Sequence, residues 1–248
     1  EGKPSVMVSE GTSVFDCSVE MAEARKGALV LGDDDSLVGL FTFSDCMKRV
    51  VAAELPLDST TVASVMTPSP ESVPPTMTVL EALQTMHDHR FLSLPVVDPS
   101  THKVLGLVDV LQCVIACGGA DGWRSIFNAA AEAGDDISDT SSQRSSSSTI
   151  MTARTAKSVK AAVPKVNKVD SERTVAKLRP KKPLIGYEGD SILDVCKMLK
   201  EKRGDCVLVC GEDGGLAGIC SDTDIVRRCV SKGLDAAATG VEAIHTPN

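Results

Sequence analysis

The chain has 248 residues and a net charge of −8, and 42% of its residues are hydrophobic, which is enough to build one large domain or two smaller ones. Its apolar runs are far shorter than the roughly 18 to 20 residues that a membrane span needs, so no span is predicted. The aromatic content of 3% argues against the stacking surfaces of single-strand nucleic-acid binders. Nine cysteines, an odd number lying mostly in apolar stretches, favour a reducing intracellular compartment, and the cytoplasm is the expected location.

Internal repetition is the strongest signal in the sequence. The motif GTSVFDC at residues 11–17 aligns with GDSILDV at residues 189–195, and GLFTFSD at residues 39–45 aligns with GICSDTD at residues 218–224. Another copy lies between them, at residues 76–112. A repeated unit of this kind predicts an array of similar supersecondary structures.

Each copy is predicted to contain a helix, two strands and a second helix. Helical apolar spacing follows a Ser or Thr and begins at Val14, Val79 and Ile192. Apolar strands follow at residues 28–31, 94–97 and 206–209, and their four-residue apolar runs indicate burial on both faces. We expect Cys206 and Cys210 to point into the core. The fold class is therefore α/β, in units too small to be stable without a partner.

Several motifs in order resemble CBS (cystathionine-β-synthase) domains: VMTP at residues 65–68, LPVVD at residues 94–98 and the Gly-x-x-Thr-x-x-Asp turn that ends at Asp45. The resemblance implies tandem β-α-β-β-α units that associate in pairs called Bateman modules. It assigns one complete pair to residues 1–118 and a further single CBS unit, whose mate is missing, to residues 173–248.

The motif RTVAKLR at residues 173–179 is similar to the plant, algal and fungal proteins that carry four CBS units, often with a Phox/Bem-type domain. The segment VEAIHTP at residues 241–247 parallels the lead-in to a further copy. We therefore expect the chain to be a fragment of a longer array.

Residues 119–172 are predicted to form a flexible linker, first rich in serine and then basic. Residues 153–182 hold ten Lys or Arg against two acidic residues. This basic segment is either a solvated tether or a docking strap for an acidic partner, such as nucleic acid, an acidic protein tail or anionic lipid.

Thr42 and Asp45 lie where a strand meets a helix, and their hydroxyl and carboxylate could serve a phosphate and a ribose. The resemblance implies that these two residues make the phosphate and ribose contacts to an adenine nucleotide, with AMP, ADP, ATP and S-adenosylmethionine as candidate ligands. Arg49 lies one helical turn beyond Asp45 and could reach a polyphosphate. The resemblance also assigns Met7, Ala28 and Leu40 as apolar walls for the adenine. In the third copy, Ser221, Asp224 and Arg228 hold the positions that match Thr42, Asp45 and Arg49. The matching apolar walls there are Ile185, Cys206 and Ile219.

The same residues also admit an alternative interpretation without any ligand. Thr or Ser followed three residues later by Asp is a helix-capping pattern, and Asp followed four residues later by Arg is an ordinary helical ion pair. The second copy has Asp109 and Gln112 at the matching positions, which would cap a helix but would disfavour a phosphate.

No catalytic group with a partner and no metal-ligand spacing is found, so the chain is predicted not to be an enzyme. The leading hypothesis is a regulatory CBS-domain protein that senses adenine nucleotides and associates with other proteins. The alternatives are an interaction scaffold that binds no small molecule, and the control region of an enzyme or channel. The expected partner is another CBS unit in the same or a second chain, which implies a homo-oligomer or a larger complex.

Overall fold

The predicted order of helix, strand, strand and helix occurs three times in the computed structural model, which describes residues 5–116 and 182–248. The predicted linker at residues 119–172 lies outside the described residues. The first copy contains β1 (Val6–Ser9), α1 (Val14–Ala24), β2 (Ala28–Leu31), β3 (Leu37–Phe41) and α2 (Phe43–Asp45), which continues into a π-helical turn (Cys46–Val50) and a 3-10 turn (Val51–Ala53).

The other two copies follow the same plan with small differences. The second copy contains α3 (Val62–Val65), β4 (Thr67–Pro68), α4 (Val79–His89), β5 (Ser93–Val97), β6 (Val104–Asp109) and α5 (Val110–Ala116). The third contains β7 (Ile185–Tyr187), α6 (Ile192–Lys202), β8 (Cys206–Cys210), β9 (Leu216–Ser221), α7 (Asp222–Arg228), two 3-10 turns (Val230–Lys232 and Val241–Ala243) and β10 (Thr246–Pro247).

The sheets of the first and third copies have the same topology. In the first, β1 pairs in parallel with β2, β2 is antiparallel to β3, and β3 is antiparallel to β4. The third repeats this order as β7, β8, β9 and β10. The second copy has only the β5–β6 hairpin, and an isolated parallel bridge between Val73 and Val96 stands where a first strand would lie.

The first helix of every copy is held at both ends in the same way. Ser13, Thr78 and Ser191 are the N-caps of α1, α4 and α6, and each side chain accepts a hydrogen bond from the backbone N–H three residues later. All three helices have 11 residues and end at an arginine in the left-handed conformation. In the described part of the chain, no helix is long and apolar enough to cross a membrane.

The helices of the first and third copies share one hydrophobic core. This core includes Cys17, Met47 and Val50 from the first copy together with Val195 and Val226 from the third. Ion pairs at its rim join Lys48 to Asp205 at 2.8 Å and Lys197 to Glu54 at 2.6 Å. The sequence predicted another CBS unit as a partner without identifying which one, and in the structure the helices of the third copy pack against those of the first.

The second copy has a small core of its own, formed by Val73, Met86, Leu94 and Cys113. It also touches the first copy directly, because the backbone N–H of Leu107 donates a hydrogen bond to Oγ of Ser5 at 2.9 Å. The first copy thus has a neighbour on each side, the third copy on its helices and the second copy on its sheet.

Candidate functional site

Thr42 and Asp45 form a complete capping box at the start of α2. Oγ1 of Thr42 accepts a hydrogen bond from the Asp45 backbone N–H at 3.1 Å, and Oδ2 of Asp45 accepts one from the Thr42 backbone N–H at 3.0 Å. The Thr42 hydroxyl also donates to Oδ2 of Asp45 at 2.7 Å. The capping interpretation of this pattern is therefore confirmed, and it uses only one of the two carboxylate oxygens.

Arg49 connects this helix end to the lead-in strand of the second copy. Its Nε lies 3.4 Å from Oδ1 of Asp45, and its terminal nitrogen donates to the carbonyls of Val65 at 3.0 Å and Met66 at 2.6 Å. A further nitrogen donates to Oγ1 of Thr67 at 3.3 Å. Arg49 thus fastens β4 to the sheet, and its guanidinium is occupied by protein groups.

The third copy reproduces the arrangement residue by residue. Ser221 and Asp224 form the capping box of α7, with the Ser221 hydroxyl donating to Oδ2 of Asp224 at 2.7 Å. Arg228 lies 3.6 Å from Oδ1 of Asp224 and donates to the carbonyls of Ile244 and His245, both at 2.8 Å. The repeated geometry indicates that this Asp–Arg pair has a structural role in both copies.

Asp109 and Gln112 cap α5 in the second copy, as predicted. The Gln112 backbone N–H donates to Oδ1 of Asp109 at 2.7 Å, and the Asp109 backbone N–H donates to Oε1 of Gln112 at 3.2 Å. A carboxylate therefore occupies the place that a hydroxyl has in the other two copies.

A cavity of about 630 Å³ lies between the first and second copies. Leu40 and Phe43 contribute apolar walls from the first copy, and Pro95 and Leu107 contribute them from the second. Thr42 and Asp45 line it as well. Of the candidates in the first copy, the structure thus brings Thr42, Asp45 and Leu40 to one cavity.

The remaining candidates lie elsewhere. Ala28 is fully buried in the shared core and pairs with Phe41, so its side chain is on the helix side of the sheet. Met7 is 39% exposed, and neither it nor Arg49 lines the cavity. None of the six candidates from the third copy lines it either; these are Ser221, Asp224, Arg228, Ile185, Cys206 and Ile219.

Ile185, Cys206 and Ile219 lie instead on an exposed face of the third sheet. The prediction that Cys206 and Cys210 point into the core is wrong, because Cys206 is exposed and Cys210 is only partly buried. Strand alternation places Val207 and Val209 in the core, so the two cysteines face the other way.

The two arginines that line the cavity were not predicted from the sequence. Arg25 ends α1 and Arg90 ends α4, with nearly equal φ values of 58° and 59°. Their guanidinium groups form no hydrogen bond or ion pair with the described residues. The signal was present in the repeat, because Arg203 ends α6 at the matching position with φ of 54°.

Carboxylates also surround the cavity, and each has a partner. The cavity is lined by Asp45, Asp109, Glu71 and Asp222. Oε2 of Glu71 lies 2.6 Å from Nδ1 of His89. Oδ1 of Asp222 accepts a hydrogen bond from the Thr223 backbone N–H at 2.7 Å. Burial raises the pKa of Asp222 above its ordinary value, and the nearby Asp205 acts in the same direction. Arg25 and Arg90 are therefore the charged groups that remain available to bind an anionic group of a ligand.

The buried cysteines act as small apolar residues. Burial raises the pKa of the Cys17 thiol to about 12 and that of Cys229 to about 11, so both stay protonated at neutral pH. Within residues 5–116 and 182–248, no cluster of His, Cys, Asp and Glu could hold a metal ion.

Comparison with known proteins gives one family. The family model for the CBS domain matches residues 2–52, 62–115 and 179–231, which are the three copies described above. The CBS domain-containing protein CBSCBSPB3 of Arabidopsis thaliana is 30% identical over 245 residues, 98% of this chain and 42% of that protein. The meiotically up-regulated gene 70 protein of Schizosaccharomyces pombe is 32% identical over 110 residues, 44% of this chain and 15% of that protein.

The chain thus spans less than half the length of these relatives. Among solved structures, protein MJ1225 from Methanocaldococcus jannaschii aligns with 100% of this chain and 80% of its own length. The TM-score is 0.63 and the sequence identity is 14%, so the two proteins are shown to be similar only in fold. The α/β fold with tandem repeats, as predicted from the sequence, is confirmed.

Proposed function

The chain belongs to the CBS domain family, and from that premise we propose that it is a non-enzymatic regulatory protein whose cavity between the first and second copies binds an adenine nucleotide. Residues of both copies would contact the ligand, so binding would favour one arrangement of the two copies over others.

One observation carries the proposal. Arg25 and Arg90 come from matching positions of two copies, line the same cavity and have no partner among the described residues. A guanidinium is always charged and matches the geometry of phosphate oxygens. Two such groups at one cavity favour an anionic ligand with a phosphate.

The rest of the cavity suits the remainder of a nucleotide. Its volume of about 630 Å³ lies in the usual range for small-molecule sites, roughly 300 to 1,000 Å³. Leu40, Pro95 and Leu107 offer apolar contacts to a flat base. Oδ1 of Asp45 has only the long 3.4 Å contact to Arg49, so it retains the capacity to accept from a ribose hydroxyl.

The first test is thermal unfolding of the full chain with AMP, ADP, ATP or S-adenosylmethionine, with and without magnesium. A ligand at about 100 times its dissociation constant should add roughly 2.7 kcal/mol to the free energy of unfolding. This corresponds to a rise of several degrees in the melting temperature for a domain of this size.

Arg25→Gln and Arg90→Gln should each reduce the rise. Arg203→Gln is the matched control, because Arg203 has the same backbone conformation and repeat position but does not line the cavity. An absence of any rise with all four ligands would contradict the proposal, and so would an equal loss in all three variants.

A second candidate function is protein association through the open face of the third sheet. Ile185 is 45% exposed, Tyr187 56% and Ile219 39%, and together they form an apolar surface. The second copy covers the centre of the matching face in the first copy, where Leu29 is fully buried, although Met7, at the position that matches Ile185, is 39% exposed. We therefore propose another CBS unit, in the same or a second chain, as the partner of this face.

Size-exclusion chromatography with light scattering would test this association. We expect the wild-type chain to form a homo-oligomer or a larger complex and Ile219→Asp to weaken it. Leu234→Asp is the control, since Leu234 is 41% exposed in the third copy but lies outside its sheet. Equal mass for the wild type and Ile219→Asp, or equal weakening by both variants, would count against this face.

The basic segment at residues 153–182 lies almost wholly outside the described residues, so both predictions for it stay open, a solvated tether and a docking strap for an acidic partner. Phosphorylation of the serine run at residues 141–148 would add negative charge beside it. Unchanged binding of a phosphomimetic variant to acidic partners would contradict this switch. The cytoplasmic location also stays a prediction, based on cysteine usage.

A further inference from the structure

The third copy contributes two residues to the cavity between the first and second copies. Asp222 and Thr223 begin α7, and both line this cavity together with Thr42, Phe43 and Asp109. The site is therefore built from all three copies, although its main walls belong to the first two.

A carboxylate directly after the N-cap is found only in the third copy. The matching residue is Phe43 in the first copy and Val110 in the second. Asp222 thus places a negative charge where the repeated unit otherwise has an apolar side chain.

This charge is only partly compensated. Oδ1 of Asp222 accepts from the Thr223 backbone N–H at 2.7 Å and from the Thr223 hydroxyl at 3.3 Å, but Lys48, the basic residue that acts on it electrostatically, forms its 2.8 Å ion pair with Asp205. The pKa of Asp222 is raised, mainly by burial and also by Asp205, because these effects exceed those of the Thr223 hydrogen bonds and of Lys48. A further anion close to Asp222 would be repelled.

We propose that Asp222 makes the cavity selective for a nucleoside monophosphate over a nucleoside triphosphate. This inference rests on the proposed nucleotide binding. The charged side chains that line the cavity are four carboxylates (Asp45, Glu71, Asp109 and Asp222) and three basic groups (Arg25, Lys26 and Arg90). The cavity therefore has no surplus of positive charge to neutralise a long phosphate chain. Each added phosphate would increase the repulsion from the Asp222 carboxylate.

Asp222 also has a structural role in α7, and the test must distinguish this role from the proposed effect on nucleotide selectivity. An acidic residue in the first turn stabilises a helix N-terminus. Loss of that effect would change the stability of the free protein and alter the binding of both nucleotides alike. Selectivity must therefore be measured as the ratio of the ATP and AMP dissociation constants.

The test is isothermal titration calorimetry of the full chain with AMP and with magnesium-free ATP at low ionic strength. We expect the wild type to bind AMP more tightly, and Asp222→Asn to shift the ratio toward ATP by about fivefold. Asp222→Ser should do the same, and Asp222→Glu should keep the wild-type ratio because it keeps the charge.

Asp213→Asn is the matched control. Like Asp222, Asp213 accepts a hydrogen bond from a nearby backbone N–H, that of Gly215 at 2.9 Å. The two aspartates lie beyond opposite ends of β9, which is roughly 17 Å long. Its removal changes the net charge equally and should leave the ratio unchanged.

The outcomes separate the two proposals. If the wild type binds neither nucleotide, the proposed nucleotide binding fails and this selectivity fails with it. If it binds them but Asp222→Asn leaves the ratio unchanged, or Asp213→Asn shifts it equally, only the selectivity is overturned. A shift confined to the Asp222 variants that lose the charge, and reduced at high salt, would support it.

Discussion

The first and third copies have the same strand order, capping boxes and arginine contacts, yet the central strands of their sheets are buried to different extents. Leu29 and Leu208 occupy matching positions, opposite Leu40 and Ile219 in the strand register. Leu29 is fully buried, whereas Leu208 is only partly buried and Ile219 is 39% exposed. The local geometry of the candidate site is thus a property of a single repeat, whereas the cavity lies where the second copy meets the sheet of the first.

The largest expected difference comes from truncating the two matching leucines. Leu29→Ala should cost about 2 to 5 kcal/mol of unfolding free energy, because a fully buried side chain is lost and a cavity remains. Leu208→Ala should cost less than half as much, since its site is partly open to water. Urea denaturation of both variants measures the difference. Equal losses would mean that the second copy does not protect the first sheet.

The second prediction concerns the two glycines next to the lead-in strands. A Cβ at Gly218 would collide with the backbone carbonyl of Thr246 and the ring of His245, whereas at Gly39 it would meet the flexible side chain of Met66. Gly218→Ala should therefore cost about 1 to 3 kcal/mol and loosen β10, and Gly39→Ala should cost less.

Hydrogen exchange at the Asn248 N–H, which donates to the Ala217 carbonyl at 2.9 Å, reports on β10 directly. This exchange should accelerate in Gly218→Ala and stay unchanged in Gly39→Ala. Slow exchange in Gly218→Ala would contradict the predicted displacement of β10.

The third prediction separates structure from ligand binding at the repeated carboxylates. Asp45→Ala and Asp224→Ala each remove a capping contact and the ionic partner of an arginine, so each should lower stability by about 1 to 2 kcal/mol. Asp224→Ala should cost somewhat more, because Asp224 is 8% exposed and also accepts from Oγ1 of Thr246 at 3.4 Å.

Nucleotide binding should respond to only one of the two. Asp45 lines the cavity and Asp224 does not, so Asp45→Ala should abolish the ligand-dependent rise in melting temperature and Asp224→Ala should preserve it. Loss of the rise in both variants would show that the capping box acts on binding through stability alone.

Much of the fold could be predicted because its signals are local. The helix starts at Val14, Val79 and Ile192 are confirmed, and so is the strand at Ala28–Leu31. Short-range features such as caps and apolar spacing depend on neighbours in the sequence. The packing of the third copy against the first was not predicted, because helical spacing identifies an apolar face without naming its partner.

The candidate site was predicted only in part, for a related reason. Thr42 and Asp45 were found because their spacing is a motif, whereas Arg25 and Arg90 are exposed basic residues at helix ends, a common place for any solvated side chain. For Cys206 and Cys210, alternation along the strand predicted a shared face correctly. It could not tell which face of the sheet is covered, since that depends on a contact between repeats.

The smallest expected effect concerns the ion pair between the first and third copies. Lys48 and Asp205 are 2.8 Å apart, but the Asp205 side chain is 65% exposed, so solvent screens their attraction. A double-mutant cycle with Lys48→Ala and Asp205→Ala should give a coupling of about 0.2 to 1 kcal/mol that declines in high salt. Val195→Ala, in the shared core, should cost more than either surface variant, because buried apolar contacts and not surface charges hold the two copies together. A coupling energy between Lys48 and Asp205 well above the loss of unfolding free energy in Val195→Ala would reverse this order and make the ion pair the main link between the two copies.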